Sequence, residues 1–306
     1  ALTRLEETRH ERLKLDISGA LLATLGAAAA VMVFTQGPPR GWVDPWVIGA
    51  GIAALAFGIA FLVVERSADH PLVPLWLFRD RNRVATFVSL FMAGGVLLTL
   101  TVMIGLYVQD VLGYSALHAG IGFIPFALAL GVGNLLTARL AMHIAPRWLI
   151  IGGGVFVLGA MLFGSTLTRT IPYFPDLLVP ILIGGFGIGI ISVVLPLCAL
   201  ANVGPREIGP VSAITLMAQS LGGPLVLVVI QAVQISRTLY LGGTTGPVAE
   251  MTPGQLDALD AGYTYSLLWI AAVAVLVGIS AFFIGYSARQ IATAQHTREA
   301  VEAGEL

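Results

Sequence analysis

Charge is scarce in this chain. Acidic and basic residues fill 11% of its 306 positions against 57% hydrophobic residues, and the mean hydropathy is +0.90. A water-soluble domain cannot hide that much apolar surface, so the composition excludes a soluble globular protein and calls for a bilayer. The few charges nearly cancel, with 16 basic and 17 acidic residues for a net charge of -1. Such a chain offers no basic field for nucleic acid, and nucleic acid is not expected among its partners. Cysteine is almost absent: Cys198 stands alone in an apolar run, which rules out a disulfide within the chain and leaves a packing role.

Ionisable groups at membrane depth are lacking too. Asp16, Asp44, Asp110 and Asp176 fall at the ends of apolar runs, and His10, His70, His118, His143 and His296 fall in loops or at helix starts. An intramembrane hydrolase needs such groups at depth, where only function offsets their cost, and a metal site needs ligands at matching helical spacing. Neither pattern occurs, so an enzyme, a metal site or a catalytic residue is not expected.

What is there is long apolar runs. A bilayer core takes about 20 apolar residues per helix. Eight such runs stand out: Leu15 to Phe34, Pro45 to Val64, Val84 to Val108, Leu117 to Ala138, Trp148 to Leu167, Leu177 to Leu200, Ile208 to Gln234 and Tyr265 to Tyr286. The fold expected is therefore an all-α integral membrane protein with eight transmembrane helices. The polar lead-in Ala1 to Lys14 could be taken for a signal peptide, but its apolar run is long and others follow, so it reads as leading into a first span. Of the 16 basic residues, only Arg40, Arg169 and Arg237 fall in one set of alternate loops. Basic residues resist translocation, which puts both termini in the cytoplasm. All five tryptophans lie near span ends, where an amphipathic ring suits the headgroup layer.

Between the third and fourth runs, Tyr107 to Gly133 reads YVQDVLGYSALHAGIGFIPFALALGVG. Gly113 can take a left-handed turn, Ser115 can cap the following helix, and Gly120 and Gly122 can let backbones approach. The order Gln109, Gly113, Ser115, Ala119-Gly120, Pro125 resembles the hairpin that opens the second half of major facilitator transporters of the fourteen-span drug:proton antiporter subfamily. The loop HPLVPLWLFRDRNR, with Pro71 and Pro74 beside a basic cluster, is similar to the subfamily's junction between its two linker helices and that second half, and suits a segment lying on the inner membrane face. The cytoplasmic loop ARLAMHIAPR keeps Arg139, Leu140 and Arg147 of the superfamily pattern. Ala138, Met142 and Ala145 replace its glycine, aspartate and glycine, which puts that loop's charge-relay role in doubt.

The resemblance implies a lead-in at 1–14, two linker helices at 15–64, an interfacial junction at 65–83, a carboxy-terminal six-helix domain at 84–287 and a cytoplasmic tail at 288–306. It implies a part of a proton-coupled multidrug efflux transporter of a bacterial plasma membrane. Such a protein exports hydrophobic or amphiphilic compounds by alternating access, with no cofactor beyond the proton gradient. Its partners are the lipid bilayer, a hydrophobic drug or lipid substrate, and an amino-terminal six-helix half that holds the coupling acids and is missing from this sequence. Two alternatives stay open: a lipid exporter of the same fold, and a membrane scaffold or half-transporter that does not pump.

In the resembled fold the first and fourth helices of each half line the cavity and the second and fifth meet the other half. On the third run Met92, Gly95, Thr99 and Met103 share a stripe suited to an unspecific apolar ligand, with lipid or core packing as the plainer account. On the sixth, Gly185, Gly189 and Ser192 form a small-residue face suited to tight packing, and Ser192 is also a cavity candidate. On the seventh, Ser212, Thr215, Gln219 and Gly222 form the most polar stripe, assigned to the interface between halves. Pro125 and the Gly223-Pro224 pair are hinge candidates, since proline removes a backbone hydrogen bond; a tolerated kink or a close helix crossing explains them equally well. Thr252, Pro253 and Gln255 make a capping box for a short helix in the longest external loop, Ile235 to Gly262.

Overall fold

The computed structural model describes residues 17–67, 80–169, 172–204 and 207–293. The lead-in, most of the 65–83 junction and most of the tail lie outside the described residues. Helices and short loops make up the described backbone, with no strand among the described residues. A pair, α1 (Ile17–Arg40) and α2 (Pro45–Ser67), precedes α3 (Arg81–Asp110), α4 (Ala116–Gly122), α5 (Ile124–Leu140), α6 (Pro146–Gly164), α7 (Leu178–Leu200), α8 (Ile208–Tyr240) and α9 (Pro253–Ala281). With α4 and α5 counted as one, eight stretches are long and apolar enough to cross a membrane. In lipid every backbone polar group must be satisfied within the segment, and these helices do that along their length.

The hairpin at 107–133 forms as its residues dictate. Gly113 adopts φ +71°, which a side chain would resist. Ser115 accepts from the His118 backbone N–H at 3.3 Å and caps α4. The chain then breaks at Phe123, and Pro125 lies in the first turn of α5, where a missing N–H is tolerated. Gly120 stands in open space, whereas Gly122 lies under the Tyr173 ring, whose hydroxyl donates to the Gly122 carbonyl at 2.8 Å. Of the two glycines only Gly122 makes the close approach. Burial raises the pKa of that Tyr173 phenol, so it stays protonated and able to donate at neutral pH.

One boundary differs from expectation. The Thr252 capping box does form, but it opens α9 itself and not a separate short helix. The last span therefore runs Pro253–Ala281 rather than Tyr265 to Tyr286. Polar residues in its first turns had placed twelve helical positions in a loop.

Packing centres on α7, which lies between α5 and α6, while α3 packs against α8 and α9 and α6 closes onto α9. Apolar side chains gain nothing by leaving lipid for one another, so close backbone contact must hold these helices together. Glycine supplies it. A Cβ at Gly187 would meet the Gly153 carbonyl oxygen at 2.6 Å, and one at Gly185 would meet that of Phe126 at 2.8 Å. The α1–α2 pair stands apart: only 6% of the span of each is buried, against 61% for that of α7, so this pair flanks the packed helices instead of building their core. Its attachment is through α1, which packs along α8.

Candidate functional site

Between α3, α7 and α8 lies a cavity of about 510 Å³. Ala93, Gly94, Leu97, Leu98 and Thr101 of α3 form one wall, and Ile188, Ile191, Ser192 and Leu195 of α7 face them. Gln219, Ser220, Gly223 and Pro224 of α8 complete it, with Val157 of α6 and Ala274 and Val277 of α9 behind. No charged side chain lines it among the described residues. Two of its polar groups are already engaged. Ser192 donates to Asn134 Oδ1 at 2.9 Å and to the Gly189 carbonyl at 3.0 Å, and Thr101 donates to the Leu97 carbonyl at 2.8 Å. The Gln219 amide is half-buried and has no hydrogen-bond partner among the described residues. It is the polar group with most capacity left for a ligand.

The α3 stripe expected from the sequence does not line this cavity. Gly95 packs onto Val226 of α8, and Thr99 and Met103 are buried inside the domain. Met92 also packs against the core and is not among the cavity-lining residues. On α3 the wall of this cavity is the adjoining face from Ala93 to Thr101. Of that candidate set only Ser192, on α7, reaches the cavity. The polar stripe of α8 divides likewise. Thr215 is buried and donates within its own helix to the Val211 carbonyl at 2.8 Å, and Gly222 seats against the Phe91 carbonyl of α3. These two are taken up by packing inside the domain, while Ser212 is half-buried and Gln219 turns to the cavity. The helix runs unbroken through Gly223 and Pro224, both of which line the cavity. The Gly222 contact makes this a close helix crossing.

At one end of the domain a second polar arrangement, absent from the sequence expectations, joins α3 to α9. Tyr107 on α3 donates to Asp260 Oδ1 on α9 at 2.9 Å, and Tyr263 on α9 donates to Asp110 Oδ2 on α3 at 3.1 Å. The two rings meet edge to face with centroids 5.7 Å apart. The clasp is thus reciprocal, each helix giving one phenol and one carboxylate. Asp260 is 9% exposed, and its Oδ2 accepts the Arg169 backbone N–H at 3.1 Å; the Arg169 side chain pairs with Asp257 at 2.8 Å. Asp260 thus lies near the start of α9, buried against protein, in residues that the sequence reading places in the loop before that helix. The readable signal was a tyrosine and an aspartate three apart in both helices, in opposite order. At the other end Asn82 Oδ1 accepts the Gly285 backbone N–H at 2.8 Å, and the Ser89 and Ser280 hydroxyls meet at 2.5 Å. Burial pushes the pKa of nearby Tyr286 up to about 12.

Apolar helices that cross a bilayer, packed through glycine around an uncharged cavity, define the domain of a multi-pass membrane transporter. The chain belongs to the Major Facilitator Superfamily, whose family model matches residues 13–227 and so ends inside α8. Its relatives include the MFS-type transporter EfpA of Mycobacterium tuberculosis, 58% identical over all of this chain and 58% of that protein. The puromycin resistance protein pur8 of Streptomyces alboniger is 31% identical over 89% of this chain and 54% of that protein. The cephamycin export protein CmcT of Amycolatopsis lactamdurans is 31% identical over 88% and 54%. This chain thus spans little more than half the length of the relatives it matches.

Proposed function

We propose that this chain is the linker pair and carboxy-terminal domain of an efflux transporter that exports hydrophobic or amphiphilic compounds by alternating access. The observation that carries this is the uncharged, mainly apolar cavity between α3, α7 and α8, with Gln219 as its one unengaged amide. A site of this kind holds poorly specific apolar solutes and rejects those with desolvated charge. The relatives named for puromycin resistance and cephamycin export support the same class. In transporters of this architecture the site lies at the midplane between two halves that rock about it, so the six-helix half expected from the sequence would supply the facing wall and the coupling acids. The proton gradient is the proposed energy source. The asymmetry of basic residues supports cytoplasmic termini and membrane insertion with the clasp on the external side.

Fluorescent-dye accumulation tests this reading in cells expressing the chain alone and together with a six-helix amino-terminal half. Efflux on co-expression only, abolished by collapsing the proton gradient, is expected. Proton-dependent efflux by the chain alone would overturn the division into two halves. A change in outer-leaflet lipid composition without any change in dye level would identify a lipid exporter instead.

A further inference from the structure

Beside the clasp, between the ends of α3 and α8 and the loop that leads to α9, lies a separate cavity of about 190 Å³. It shares no lining residue with the central one, and its chemistry is different. Asp110 is the one charged residue lining it among the described residues, and the polar side chains around it are Gln234, Thr238, Thr244, Thr245 and Tyr263. Gln234 and Thr238 are 6% and 2% exposed, so these groups belong to a built recess in the fold.

Part of the hydrogen-bonding capacity of this recess is already spent. The Tyr263 hydroxyl donates to Asp110 Oδ2 at 3.1 Å, Thr238 donates to the Gln234 carbonyl at 3.0 Å, and Gln234 Nε2 donates back to Thr238 Oγ1 at 3.3 Å. Thr244 Oγ1 accepts the Gly246 backbone N–H at 3.2 Å. What remains is the lone pairs of the Asp110 carboxylate, the Tyr263 phenol oxygen and the Gln234 amide oxygen, beside one Gln234 N–H and the Thr244 and Thr245 hydroxyls, whose oxygens also accept. A recess rich in acceptors around a single negative charge selects a cation with several N–H donors. One carboxylate is too few for calcium, which takes about 6–8 oxygen ligands, and no group of three or more potential metal ligands occurs among the described residues. Val248, Met251 and Leu259 supply an apolar wall next to the polar one.

We propose that this recess is a binding site for a small organic ammonium ion. The ammonium group donates to Asp110 and to the neighbouring oxygens, and its alkyl stem lies along Val248, Met251 and Leu259. The site is independent of the transport reading: it lies outside the central cavity and asks only that the domain be folded. Because Asp110 also closes the clasp with Tyr263, a bound ammonium would add a third contact where α3, α8 and α9 come together.

Titration calorimetry of the purified, detergent-solubilised chain tests this with n-butylammonium, tetramethylammonium and n-butanol as probes. Saturable binding of n-butylammonium is expected. Tetramethylammonium carries the same charge without an N–H donor and should bind at least about tenfold more weakly, as should n-butanol, the scale set by charge-assisted hydrogen bonds. Asp110→Asn should weaken n-butylammonium by at least about tenfold on the same scale. Met251→Trp, which fills the apolar wall and leaves Asp110 and Tyr263 in place, should abolish binding, and it decides the matter where Asp110→Asn fails to fold. Absence of saturable binding, equal affinity for the two ammonium ions, or full binding by Met251→Trp overturns the site.

Discussion

Three side chains show how much a membrane domain asks of single polar groups. Gln219 is the one amide lining a cavity that is mainly apolar. In the proposed transporter, Gln219→Leu should lower export of dyes that carry a hydrogen-bonding group while leaving membrane insertion unchanged; equal dye efflux by the variant would falsify that role. The clasp yields a graded expectation. Tyr107 serves a carboxylate that is 9% exposed, whereas Tyr263 serves the half-buried Asp110, which water can still reach. Removing a partner from a buried acceptor exposes the desolvation cost of that acceptor, about 1–3 kcal/mol, while a wetter one loses only the net value of the bond, about 0.5–1.5 kcal/mol. Tyr107→Phe should therefore lower the thermal unfolding midpoint in detergent more than Tyr263→Phe does. The reverse order would mean that the Arg169 backbone N–H satisfies Asp260 without Tyr107.

Among the helices, glycine positions separate into those that carry packing and those that do not. Gly187 and Gly153 meet backbone to backbone, while Gly120 faces open space. Gly187→Leu should prevent α6 and α7 from closing and lower stability by about 3 kcal/mol or more, the scale of severe overpacking. Gly120→Ala, on a helix with room for it, should be neutral or slightly stabilising. Parallel thermal melts distinguish the two, and equal losses would place the α6–α7 contact elsewhere.

The helices also show what could be read from sequence. Their number was legible, because a bilayer imposes a minimum apolar length that composition alone reveals. The turn at Gly113, the cap at Ser115 and the capping box at Thr252 were legible for a similar reason, since each rests on local backbone chemistry. The start of α9 was not: Thr252 to Asp260 is polar enough to pass for loop, and only the tertiary clasp explains why an aspartate is tolerated there. Nor was the rotation of α3. A helix apolar on every side has no hydrophobic face to betray its orientation, so Met92, Gly95, Thr99 and Met103 could not be told from the neighbouring face that lines the cavity.

For the molecule as a whole, α3 to α9 pack into one bundle with the α1–α2 pair at its side. The linker pair is mostly exposed along both spans and is held through α1 on α8, so the core, the cavity and the clasp do not draw on it. The domain closes because α3 and α9 are tied at both ends, by the tyrosine–aspartate pairs at one and by Asn82 with Gly285 at the other. The first and last helices are therefore spatial neighbours, and chain order around the domain carries no structural weight of its own. A rearranged gene that joins residue 287 to residue 81 through a short linker, and opens the chain in the 141–145 loop at that same end, should give a circular permutant with the same packing. Cross-linking between cysteines substituted at Ser89 and Ser280 would verify it, and failure to cross-link would show that the order of synthesis, and not only the final set of contacts, selects this arrangement.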